Sequence, residues 1–69
     1  MLQPTPHAHK RMRQRSITKA EIEYCLNNYD ISYKDKKGNL IYQCTTPNGR
    51  RIKVVVSKDN PDKIITVGD

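Results

Sequence analysis

The sequence predicts an α+β domain, with two N-terminal helices packed on one face of a four-stranded antiparallel meander in the order ααββββ. Three observations predict it. Helix-start signals and helical apolar spacing are confined to the first thirty residues. Everything after them alternates between apolar and polar residues and is cut by turn sequences. The chain of 69 residues has no Trp or Phe and is 35% hydrophobic, enough for one sheet covered on one face and too little for a sandwich.

Residues 1–4 read as a loose end. Thr5-Pro6 then starts a helix, with Thr5 as N-cap and Pro6 at the first helical position, where a missing N–H costs nothing. This helix is expected from Pro6 to Gln14 or Arg15, with Ala8 and Met12 as its narrow apolar stripe. Thr18 and Glu21 form a T-x-x-E capping box for the second helix. Ile22, Cys25, Leu26 and Tyr29 give that helix a buried face, and Asn27-Asn28 is its stop, since Asn tolerates the left-handed conformation.

Pro47-Asn48-Gly49 fits a three-residue hairpin loop closed by a left-handed glycine. It pairs Thr46 with Arg50, Cys44 with Ile52, Tyr42 with Val54 and Leu40 with Val56, all apolar beyond the first pair and all on one face. Gln43, Thr45, Arg51 and Lys53 then share the opposite face with Ile41 and Val55. Lys37-Gly38, read as a two-residue turn, sets Tyr33 against Tyr42 and Ile31 against Cys44 on the apolar side. Lys34 and Lys36 suit that first strand to an exposed edge. A turn at residues 59–62 leads to a last strand over residues 64–67, with Ile65 and Val67 inward and Thr66 outward. The whole chain, 1–69, is one domain.

Thirteen Lys and Arg against seven Asp and Glu give a net charge of +6. No acid precedes Glu21, whereas Lys10, Arg11, Arg13, Arg15 and Lys19 fall within one short stretch. A block this dense attracts polyanions, and RNA is the expected partner. The plainer alternative is a solvated helix face. Cys25 and Cys44 fall at core positions and read as buried thiols of a reduced compartment, with one disulfide the alternative in an oxidising one. With no CxxC spacing and no Cys/His ligand set, no metal or cofactor is expected. No apolar run approaches a signal-peptide core or a membrane span, which points to the cytoplasm and to no membrane partner.

On the first helix His7, Arg11 and Arg15 recur every four residues and so share a face. Guanidinium groups grip phosphates through paired hydrogen bonds, and an imidazole gives or takes a proton near neutral pH. In-line attack of a ribose 2′-hydroxyl on its own phosphate needs a base, an acid and cations for the charge building on phosphorus, and no metal. His7, Arg11 and Arg15 are therefore the catalytic candidates. Alternatively His7 is a surface residue or a cap, and Arg15 ties the helix end to the sheet through a carbonyl or an Asp. Arg51 and Lys53 are candidates for flanking phosphates, or else part of a solvated sheet face. His9 is read as solvated.

The run from His7 to Thr18, HAHKRMRQRSIT, resembles the opening H-A-x-x-R-M-x-x-R-G-I-[ST] of the bacterial and phage family called domain of unknown function 4258. Residues 49–56 and 64–67 resemble that family's closing strands. Ser16 stands where the family pattern has Gly, at a tight turn between helices that Ser enters at some cost. The family in turn resembles the RelE/ParE and BrnT-like toxins in its order of helices and strands. That resemblance implies a metal-independent endoribonuclease of a toxin–antitoxin or contact-inhibition system, with an acidic antitoxin or immunity protein as a partner. It supports His7, Arg11 and Arg15 as shared positions and Arg51 and Thr66 more loosely. Lys53 rests on its place on the sheet face. The rival reading is a non-catalytic basic module that binds RNA or an acidic protein.

Overall fold

The computed structural model of the protein describes residues 2–69. In chain order the elements are β1 (Gln3–Pro4), α1 (Pro6–Arg15), α2 (Lys19–Asn27), β2 (Ile31–Lys34), β3 (Leu40–Thr45), β4 (Arg51–Val56) and β5 (Lys63–Gly68). The strands form one sheet in the order β1-β5-β4-β3-β2. The four strands expected are thus a five-stranded mixed sheet. Residues 3 and 4, expected to be loose, pair in parallel with Lys63 and Ile64 of β5. Gln3 N–H donates to Asp62 O at 2.7 Å and Thr5 N–H to Ile64 O at 2.9 Å. Pro4 lies between these donors, at a sheet edge, where its lack of an N–H breaks no ladder bond. Met1 of the expected loose end lies outside the described residues.

The helix signals act as their chemistry requires. Thr5 Oγ1 accepts from Ala8 N–H at 3.1 Å. At the start of α2 the Thr18 hydroxyl accepts from Glu21 N–H and the Glu21 carboxylate accepts from Thr18 N–H, which closes the capping box. Ser16 takes the left-handed conformation, φ 53°, and ends α1. Ile17 N–H then reaches back to Met12 O at 2.9 Å and the Ile17 side chain is buried, a Schellman-type stop with its apolar anchor. The stop of α2 differs from expectation. Asn28 sits at φ −137°, outside the left-handed region, and holds the helix end through its Nδ2, which donates to Tyr24 O.

β3 and β4 pair in the register expected, Cys44 with Ile52, Tyr42 with Val54 and Leu40 with Val56. β2 is one residue out. Tyr33 pairs with Ile41 and Ile31 with Gln43, which puts both on the open face and not against Tyr42 and Cys44. The reason is the loop. Asp35 pairs with Asn39 across three residues, 36–38, and Gly38 is left-handed at φ 87°, as Gly49 is at 86° in the next hairpin. The Asp35 carboxylate accepts from Lys37 N–H and Asn39 N–H and fixes the longer loop.

β5 also departs from expectation. Val55 pairs with Thr66 and Val56 with Ile64, so Ile65 is the extra residue of a bulge. Ile64 and Val67 therefore face the core, while Ile65 is only half-buried. The core is Cys44, Ile52, Val54, Val56, Ile64 and Val67 from the sheet against Ala8, Ile17, Ile22 and Cys25 from the helices. Cys25 and Cys44 are both free and buried. Burial pushes the Cys25 thiol up to about 12, helped by its hydrogen bond with Cys44. α2 packs on β3 and β4, and α1 on β5 and β1.

Candidate nucleic-acid interface

β5 needs a cover for its outer edge beyond β1, and α1 supplies it. Ala8 is fully buried and lets the helix approach closely. The N-cap and two side chains of the helix then follow the strand in step. The Thr5 hydroxyl donates to Ile65 O at 2.8 Å, Arg11 Nε donates to Val67 O at 3.3 Å, and Arg15 Nε lies 3.7 Å from Asp69 Oδ1. Arg11 and Arg15 thus border the sheet edge. Arg15 ties the helix end to an Asp, as one of its two readings had it. His7 is exposed, one turn before Arg11, and its side chain makes no hydrogen bond among the described residues.

On the open face of the sheet, Arg51 and Lys53 project from β4 beside Gln43 of β3. A groove of about 250 Å³ joins them to the helix. Its walls include Arg11, Gln43, Arg51, Lys53, Gly68 and Asp69. Gly68 matters here because the Arg11 guanidinium lies across its bare backbone. A Cβ at that position would stand 3.4 Å from Arg11 Nη2, in contact, and a longer side chain would displace the arginine. So the fold brings Arg11, Arg51 and Lys53 together from elements forty residues apart in sequence. His7 and Thr66 are not among the groove's walls. Thr66 pairs with Val55 and is half-buried on the open face.

The cations of the groove are not equally available. Arg51 holds Asp30 with both terminal nitrogens, at 2.6 and 2.9 Å, and also donates to Thr45 Oγ1 at 3.1 Å. That paired hydrogen bond holds the Asp30 carboxyl below its usual range and raises Arg51 above its own. Lys53 is exposed and in no ion pair among the described residues. Asp69 is the one acid among the groove's described walls, and its Oδ2 accepts from Arg50 Nη2 at 2.7 Å. Arg50, followed by Arg15, lowers its carboxyl below the usual value.

Arg50 and Asp69 were not singled out in the sequence. Arg50 Nη1 donates to Ser16 O at 2.9 Å, and Nη2 donates to Arg15 O and to Asp69. It thereby holds the turn between the helices to the hairpin end. A signal existed, because the register opposite Thr46 places Arg50 on the apolar face, where a guanidinium must find carbonyls or acids. Nothing local marks Asp69. Among the described residues no three His, Cys, Asp or Glu lie close enough to hold a metal ion, and no helix is long and apolar enough to cross a membrane.

This geometry defines a small α+β domain with a basic groove between a helix-covered sheet edge and the sheet's open face. Comparison with family models matches residues 5–69 to "Domain of unknown function (DUF4258)". The chain belongs to that family. Neither the curated proteins nor the solved structures gave a match.

Proposed function

We propose that the chain is a small RNA-directed protein of the RelE/ParE and BrnT-like toxin type, acting in the cytoplasm as a metal-independent endoribonuclease. The observation that carries the reading is the convergence of Arg11, Arg51 and Lys53 on one groove, with His7 one helical turn from Arg11. A groove lined by cations suits the phosphates of a single strand. In the reaction the 2′-oxygen attacks its neighbouring phosphorus and the bond to the 5′-oxygen breaks, leaving a 2′,3′-cyclic phosphate and a free 5′-hydroxyl. His7 takes the proton of the attacking hydroxyl while water protonates the leaving oxygen, or His7 protonates the leaving oxygen while water takes the hydroxyl proton. Arg11 and Arg15 stabilise the charge on phosphorus, while Lys53, Arg51 and Thr66 hold flanking nucleotides. An acidic antitoxin or immunity protein would neutralise the protein by covering the groove.

One observation favours the rival, a binding module without catalysis. His7 has nothing to orient it, whereas a general base is usually held by a second group. Incubation with bulk RNA and with tRNA in EDTA decides between them. The enzyme reading expects cyclic phosphate ends, and His7→Ala lowers the rate about a hundredfold or more with RNA binding retained. Lys53→Ala weakens binding at low salt in either case. RNA bound but not cut, alike by wild type and His7→Ala, overturns the enzyme and leaves the module.

A further inference from the structure

Three large apolar residues are exposed among the described residues: Tyr29 at 47%, Ile31 at 46% and Tyr33 at 44%. All three lie on or just before β2, which is the free edge of the sheet. The edge is open in its backbone as well. Asp35 N–H bonds to Asn39 O, and bonded pairs alternate along an antiparallel ladder. Tyr33 and Ile31 therefore bond inward to β3, while the N–H and C=O of Ser32 and Lys34 point outward without a strand to receive them. Lys34, Lys36 and Lys37 stand beside this edge with their ammonium groups in no ion pair among the described residues. The nearby acids are already engaged, Asp30 by Arg51 and Asp35 by backbone N–H groups of its own loop.

We propose that β2 is a docking edge for an extended acidic segment of a different protein, which adds to the sheet as one more strand. The outward groups of Ser32 and Lys34 supply the main-chain bonds of strand addition. Ile31 and Tyr33 on the open face set apolar positions in the incoming strand. Lys34, on the helix side and flanked by Lys36 and Lys37, sets acidic positions between them. The same lysines select the occupant. Two copies of a chain with net charge +6 would bring like charges together along this edge, so the lysines oppose self-pairing and favour an acidic strand. β2 lies at the opposite end of the sheet from β5 and α1, so this docking does not depend on the RNA reading.

The test is amide hydrogen exchange of the full chain, followed residue by residue by NMR, with a short alternating Val–Glu peptide and its Val–Lys counterpart. With the Val–Glu peptide at about nine times its Kd, exchange at Ser32 and Lys34 slows about tenfold. The Val–Lys peptide leaves both unchanged. Lys34→Glu, a change at an exposed side chain, weakens the response to Val–Glu and strengthens that to Val–Lys. No slowing by Val–Glu at these two amides overturns the proposal, as does equal slowing by both peptides. Slowing that grows with protein concentration alone also overturns it, in favour of a second copy of the chain.

Discussion

Asp69 is the residue with the largest say over the groove. Its carboxylate lies among Arg11, Arg15 and Arg50 and takes the place that a phosphate oxygen would take against the latter two. On the proposed reading, an RNA in the groove would compete with it. Asp69→Asn removes the charge and keeps the shape, and should tighten binding of a short single-stranded RNA several-fold at low salt, as read by fluorescence anisotropy. An unchanged affinity would mean that Arg15 and Arg50 stay outside the RNA contact. Residues of this kind were hidden in the sequence because their partners are set by tertiary closure. The Arg50–Ser16 and Arg50–Asp69 bonds span 34 and 19 residues. Arg11, Arg51 and Lys53 were legible, since one follows from helical spacing and the other two from the alternation of a strand.

At the scale of elements, turn chemistry decided what the sequence could reveal. The β3–β4 hairpin was readable because apolar pairing and the Pro-Asn-Gly loop agree. The β2–β3 hairpin was misread by one residue because Asp35, which builds the loop with its carboxylate, was counted as strand. A shift of one residue moves every side chain to the other face, so Ile31 and Tyr33 changed sides. In β5 the bulge at Ile65 did the same locally, and no residue type announces it. The turn between α1 and α2 was legible and carries a prediction. Among the described residues Ser16 is the one non-glycine residue with positive φ. Ser16→Gly removes the crowding of a Cβ there and should raise stability by about 0.5–1 kcal/mol in urea unfolding, with the helix ends unchanged.

For the molecule as a whole, acid should be the sensitive direction. Asp30 and Asp69 both have carboxyls held below their ordinary value of 3.8, each chiefly by a hydrogen bond from an arginine. For such groups the unfolded chain binds protons first. Their stabilisation is complete above the ordinary value and is lost as pH falls through the lowered ones. The melting temperature should therefore hold steady from neutral pH down to about 5 and drop below about 4. Asp30→Asn lowers the neutral-pH plateau and makes the acid drop shallower. A drop as steep as that of the wild type would place the acid sensitivity elsewhere, in the general repulsion of a chain whose net charge is already +6.

The seam between α1 and β5 also has a meaning in time. Thr5 and Ile65 are 60 residues apart, and their bond helps hold the first helix to the last strand. At ordinary rates of synthesis a ribosome needs roughly 3–12 s to make the chain between them. α2 and the β2–β4 strands can meet while the chain is still growing, but α1 has no strand to lie on until β5 emerges. The groove that joins Arg11 to Lys53 therefore needs the end of β5, which is made after all its cations. A growing chain carries the groove's cations before it can carry the groove.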